Sequence, residues 1–370
     1  MAANALDIND SHGVDYQGFV ALHLGAGKHQ TSLRPIYKRI SQEACSKALS
    51  TLSAEKSVTK AVTEAMVSLE TCGVVNAGVG SALNSDGAVQ CDASIMDGQS
   101  LAFGAVGCVS GIPNPTQVAF EILRNSNNRH RLGLISPLLL TGDGARDFAI
   151  KNGIHSAPPE SLISDKALKK YFKIKEMVAS LKSATTVNES IGCSDDIQDT
   201  IGVICVDSSG QIAVAASSGG NQFKMPGRIG QSAIYGAGCC AYNGHESHGC
   251  SVAATTTGVG EQIIRTNLAK QLCDEILNQQ DLHGALEKTF IETFLQAPAL
   301  ACYERKLAGA LSLIYYPNSN IGSLSWAFNT ADMIVAYQST QHNKMHYRLS
   351  THLDSVKTKS PTIQGVSFRL

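Results

Sequence analysis

Apolar positions along this chain fall into two rhythms. GFVALHLGAG (residues 18–27) is a short apolar run ending in a glycine turn, the pattern of a buried strand. Residues 35–52 and 57–69 then carry apolar side chains at helical spacing. Residues 76–107 are mostly small, and their glycines, with Asn84-Ser-Asp-Gly87, predict tight loops between short strands. Residues 116–154 read as helical. Between 156 and 199 the character changes to paired prolines, a lysine-rich stretch and a polar run, which predict a flexible linker. TIGVICVDSSGQIAVAASSGG follows as two β-rich runs joined at residues 207–210, a hairpin that leaves Thr200 where linker meets buried strand. TTTGVGEQIIRTNLAKQLCDEIL puts Thr257 and Gly258 at the start of a helix, and LAGALSLIYY, LSWAFNT and IVAYQ add strands. Long, weakly alternating strands predict sheets covered by each other on one face and by helices on the other. The expected fold is α/β, a four-layer αββα sandwich, with residues 1–370 as one domain.

Composition narrows the function classes. An apolar fraction of 43% with only 16% charged residues excludes a disordered or fibrous chain. A formal net charge of −1 supplies no global field for nucleic acid or anionic membrane, so no direct nucleic-acid or membrane partner is expected. MAANALDINDSHGVDYQ lacks a basic start and an apolar core, which predicts no secretory signal. No apolar run approaches the ~18 residues of a membrane span. Eleven cysteines without a CxxC pair read as reduced thiols of a nuclear or cytoplasmic protein. Cys239 and Cys240 are expected on opposite faces of one strand.

Several motif fragments fail on inspection. Gly25, Gly27 and Lys28 hint at a phosphate loop, but Leu22 and His29 occupy two required positions. Gly258 and Gly260 start a dinucleotide fingerprint that Ile263 breaks. His245, His248 and Cys250 form an incomplete zinc set and read as a polar loop. No metal or other cofactor is expected. Lys166, Lys169, Lys170, Lys173 and Lys175 suit either a nuclear-import patch or a solvated helix face.

Acyl-transfer chemistry needs a nucleophile, a base and oxyanion donors. The chain holds no GxSxG elbow. An N-terminal threonine can instead use its own α-amine as base, whose reference pKa of about 7.7–8.0 suits neutral pH. Thr200 could be liberated by attack of its hydroxyl on the carbonyl of Asp199, giving an ester that water opens. Cleavage there would yield an α subunit of residues 1–199, ending in the 156–199 linker, and a β subunit of residues 200–370.

QDTIGVICVDSSGQIAVAASSGG, PGRIGQSAIYGAGCCA and TTTGVGE, in that order, resemble the β-subunit core of the plant-type asparaginase family of N-terminal-nucleophile hydrolases. His23-Leu-Gly25-Ala-Gly27, Asn76-Ala-Gly-Val-Gly80 and the block from Asp92 to Gly98 match the first half. The resemblance covers roughly residues 18–340. It implies Thr200 as nucleophile, Ser218 as the hydroxyl orienting its amine, Thr257 and the Gly258 amide as oxyanion donors, and Asn76 and Gly25 beside the nucleophile. Arg228 and Gln231 are implied in substrate selection. Leu24 replaces a residue usually small in the family. Asparaginases usually read Gly-Arg-x-Gly-Asp, with the Asp gripping a free α-ammonium, whereas this chain has neutral Gln231. A peptide nitrogen needs no such anion. The pattern is similar to the threonine aspartase (taspase) branch, which implies an endopeptidase cutting nuclear regulators after aspartate in a hydrophobic-Asp-Gly context, as a dimer of αβ units. An asparaginase or isoaspartyl peptidase is the second expectation, and a non-processed binding relative the third.

Overall fold

A computed structural model describes residues 16–126, 133–183, 200–244, 249–352 and 360–370. In the first half, β1 (Gly18–Gly27) leads into α1 (Arg34–Glu55) and α2 (Val58–Thr71), then β2 (Cys91–Asp97), β3 (Phe103–Val109), α3 (Pro115–Ser126), β4 (Leu139–Thr141), α4 (Gly142–Lys151) and α5 (Asp165–Ser183). The second half runs β5 (Ile201–Asp207), β6 (Ile212–Ser218), β7 (Cys239–Tyr242), β8 (Ser251–Gly258), α6 (Gly260–Thr266), α7 (Leu268–Gln279) and α8 (Leu282–Lys288). It closes with β9 (Ala308–Tyr316), β10 (Ile321–Phe328), β11 (Asp332–Ser339), β12 (His342–Thr351) and β13 (Thr362–Arg369). Local chemistry sets the joint between the first two helices. Lys56 ends α1 in the left-handed region at φ 52°, and the Ser57 hydroxyl caps α2 by accepting from the Lys60 amide.

Among the described residues one sheet has the order β12-β11-β1-β5-β6-β2-β3-β4 and the other β13-β10-β9-β8-β7. Helices α1, α2 and α3 cover the outer face of the first sheet, and α7 and α8 cover the second. This is the expected four-layer sandwich. Its apolar interior is split in two by the larger sheet, with one part between the sheets and the other beneath α1–α3.

Strand parity then decides which residues face the inter-sheet space. On β5, Ile204 and Val206 belong to the inter-sheet core, while Ile201, Val203 and Cys205 pack under the helices. Side chains alternate along a strand, so Gly202 and Thr200 fall on the inter-sheet side. On β6 the same reasoning puts Ile212, Val214 and Ala216 between the sheets, and Ser218 with them. β5 and β6 are antiparallel with Ile201 opposite Ser217, so continuing the register sets Thr200 opposite Ser218. Thr200 and Ser218 therefore share one face at one end of the hairpin.

Three readings change. The 156–199 stretch is not a linker throughout. Residues 165–183 form α5, anchored by buried Ala167 and by Tyr171, which donates to the Ser85 carbonyl. Residues 184–199, including Asp199, lie outside the described residues. Residues 116–154 are interrupted by β4, which pairs parallel with β3. Strands β12 and β13, unread in the sequence because at least half of their positions are polar, close the outer edges of the two sheets. The lysines of α5 lie mostly on its exposed face.

Candidate active site

Thr200 is 2% exposed, and its hydroxyl donates to Ser218 Oγ at 3.2 Å. The side-chain amide of Gln231 donates to Thr200 Oγ1 at 3.1 Å. Ser218 Oγ also accepts from the Gly220 amide at 3.0 Å, which curls the chain just beyond β6. Asn76 holds that curl from below. Its Nδ2 donates to the Gly220 carbonyl at 2.9 Å, its Oδ1 accepts from Ala82, and its own carbonyl accepts from the Gly219 amide. Asn76 thus works on the turn that presents Ser218.

Arg228 lies close to this group. A Cβ at Gly260 would sit 2.6 Å from both Arg228 Nη2 and Gln231 Oε1, and one at Gly220 would sit 2.7 Å from Arg228 Nη1. Arg228 Nε donates to Glu261 Oε1 at 2.9 Å, and Nη2 lies 2.8 Å from the same oxygen in a contact that lacks hydrogen-bond geometry. Both Nη nitrogens are buried without a hydrogen-bond partner among the described residues. Burial pushes the Glu261 carboxyl up, but its bond and charge contact with Arg228 outweigh this and hold it below the usual range. The turn carrying Arg228 is pinned by Asp92, whose Oδ2 accepts from the Gly230 amide and Oδ1 from Cys108, each at 2.8 Å. Burial of Asp92 raises its pKa despite Lys224 nearby.

The third wall is a bulge in β1. Phe19 and Ala21 face the inter-sheet core, as does Ala26, so the alternation shifts by one residue between His23 and Ala26, where the β1–β11 register also breaks. Gly25 takes φ 106° there, which an L side chain rarely adopts. Its amide donates to His23 Nδ1, and the Ala26 amide donates to Thr257 Oγ1, both at 3.3 Å. His29 Nε2 bonds the Leu24 carbonyl at 3.1 Å while its Nδ1 pairs with Asp332. Leu24 is fully buried on the helix side, so the bulge accommodates the larger side chain. His23 is buried and kept neutral, with its pKa lowered to about 3 mainly by burial; a bond to the Thr200 backbone opposes that shift.

Thr257 and Gly258 do not start a helix. They end β8, where Gly258 pairs with Ala308, and Val259 occupies the cap of the short α6. Continued pairing with β9 outcompetes helix initiation at these positions. Thr257 meets the β1 bulge instead. Glu261, Asp92 and His23 received no role from the sequence. An acid inside the apolar run CDASIMD was the signal for Asp92. No group of three or more His, Cys, Asp or Glu could hold a metal among the described residues, and His245 and His248 lie outside them.

A family model described as "Asparaginase" matches residues 16–347. The isoaspartyl peptidase of Escherichia coli is 34% identical over 329 residues, covering 86% of this chain and 92% of the relative. The isoaspartyl peptidase/L-asparaginase of Danio rerio is 31% identical over 333 residues, covering 89% and 94%. The Xenopus laevis protein of the same name is 35% identical, covering 68% and 73%. These relatives overturn the expectation of an endopeptidase of the threonine aspartase branch that cuts after aspartate. The physical reason lies in the two residues that carried it. Arg228 can take any carboxylate, and the Gln231 amide donates to the nucleophile, a task a carboxylate cannot perform. Neutrality at position 231 therefore does not specify a peptide nitrogen. With the sandwich, the Thr200 cluster and a match over most of its length, the chain belongs to the asparaginase family of N-terminal-nucleophile hydrolases.

Proposed function

We propose that this protein is a self-activating β-aspartyl amide hydrolase, which opens isoaspartyl peptide bonds and the side-chain amide of asparagine with Thr200 as nucleophile. The observation that carries the reading is Arg228, which lies beside the nucleophile's hydrogen-bond network with neither buried Nη nitrogen hydrogen-bonded and Nη2 only in ion-pair contact with Glu261. Unpaired buried donors of a cation are costly, and a carboxylate offers the matching bidentate acceptor. In a β-aspartyl amide the free α-carboxylate lies a short, fixed distance from the scissile side-chain carbonyl. A clamp on the first therefore delivers the second. The names of the relatives, isoaspartyl peptidase and L-asparaginase, support the same substrate geometry.

The chemistry has two stages. Thr200 Oγ1 first attacks the Asp199 carbonyl, its proton passes to the peptide nitrogen, which leaves as the Thr200 amine, and water hydrolyses the resulting ester. The freed α-amine then accepts the Thr200 hydroxyl proton as Oγ1 attacks the substrate carbonyl. The leaving amine or ammonia takes that proton, and a second water releases aspartate. In the uncut chain Ser218 and Gln231 orient Oγ1. Thr257 and the Gly258 amide are assigned to the oxyanion, and Asn76 and Gly25 to the walls that set the turn and the bulge.

The test begins with intact masses and N-terminal sequencing, which should show fragments 1–199 and 200–370. Processed protein should release leucine from β-aspartyl-leucine and ammonia from asparagine, and Thr200→Ala should stay uncut and inactive. Processed protein inert on both substrates would overturn the reading, and a Thr200→Ala chain still split after Asp199 would remove self-cleavage from it.

A further inference from the structure

A substrate with a free α-amine brings a cation into the site along with its carboxylate. Desolvating an ammonium without an anion is costly, so a site that accepts it needs a carboxylate within reach. Position 231 supplies an amide, and that amide already donates to Thr200 Oγ1. Among the described residues, two acids stand beside Arg228. Asp92 is fully buried, and its two oxygens accept from the Cys108 and Gly230 amides behind the turn. Glu261 differs in both respects: its side chain is 44% exposed, and its Oε1 stands 2.8 Å from Arg228 Nη2, at the edge of the open guanidinium fork. Gln231 Oε1 lies on the same side, since it and Nη2 would each stand 2.6 Å from a Cβ at Gly260.

We infer that Glu261 is the anion that receives the substrate's α-ammonium, with Gln231 Oε1 as a neutral second acceptor, so that Arg228 and Glu261 together read a zwitterionic α-carbon. A carboxylate held on the outer edge of Arg228 sets its neighbouring α-nitrogen beside Glu261. Glu261 then has two tasks, fixing Arg228 through Nε and pairing with substrate. The inference rests on the β-aspartyl reading and adds that acylation of the α-nitrogen should spoil the substrate.

The experiment uses processed, mass-verified enzyme with β-aspartyl-leucine and its N-acetyl counterpart. The wild type should favour the free amine by roughly tenfold or more in kcat/KM, the span expected of one charge-assisted bond. Glu261→Gln keeps an acceptor for Arg228 Nε but removes the charge. It should collapse that preference at least severalfold, with the loss in KM, and Glu261→Asp should restore part of it. Equal losses on both substrates in Glu261→Gln would show that Glu261 acts only through Arg228 and would overturn the inference while leaving the β-aspartyl reading intact. A wild-type preference for the N-acetyl substrate would overturn it too. Activity on neither substrate overturns the underlying reading and the inference with it.

Discussion

Gln231 and Thr200 are joined by a side-chain hydrogen bond of 3.1 Å in which the amide donates to the nucleophilic oxygen. The Thr200 proton is directed to Ser218, so Gln231 occupies an acceptor site of the same oxygen and helps to fix its rotamer. Gln231→Glu keeps the shape but replaces the donor with a charged acceptor facing Oγ1. Conversion to two chains should slow by roughly tenfold or more, the scale of one lost bond and a new repulsion. The half-time of precursor loss on a denaturing gel measures this, and an unchanged half-time would remove Gln231 from the nucleophile's support.

Arg228→Lys tests the clamp. An ammonium is a point charge on a flexible stem and cannot reproduce the planar fork. Turnover of β-aspartyl substrates should fall by about one to two orders of magnitude in kcat/KM, mostly through KM. Steady-state kinetics on processed enzyme decide the matter. Wild-type KM in the lysine variant would make Arg228 a structural partner of Glu261 alone.

Glu70 is a buried acid of α2 with a role in stability. Thr116 donates to its Oε1 through both its hydroxyl and its amide, and burial pushes its pKa up to about 7. The folded state thus holds this proton more tightly than the unfolded chain. The associated stability is fully present below the ordinary glutamate pKa of about 4.3 and is lost as pH rises through about 7. Glu70→Gln mimics the protonated acid and removes the dependence. Between pH 5 and 8 the variant should gain up to roughly 3 kcal/mol relative to the wild type, read from urea unfolding. A constant difference across that range would contradict the assignment.

Gly202→Ala probes the space behind the nucleophile. A Cβ there would collide with Thr255 Oγ1 and His23 Nε2, both fully buried side chains. Overpacking of this kind costs about 1–3 kcal/mol. Because His23 also bonds the Thr200 backbone, self-cleavage should slow together with the drop in the urea midpoint. A variant with wild-type stability would mean that the two sheets yield at this point.

The sequence alone determined the layered architecture, the hairpin at β5 and β6, and Thr200 at its edge, because these rest on local periodicity and turn chemistry that neighbouring residues supply. The family blocks also marked Ser218, Arg228 and Gln231, residues that the fold gathers around Thr200. Tertiary structure decided the rest. Whether Thr257 begins a helix or ends a strand depended on pairing with β9, some fifty residues away, so local signals misled there. The same holds for α5, whose helix is anchored by Tyr171 against a loop from the first half. The task of Gln231 was legible only once its amide met Thr200, since one neutral side chain can serve a peptide nitrogen or a nucleophile equally well. Glu261 acquired meaning in the same way, because a charge in the first turn of a helix is ordinary until an arginine from another segment lies against it. Spacing along a chain encodes which elements form, whereas the meeting of side chains far apart in sequence is settled by how those elements pack.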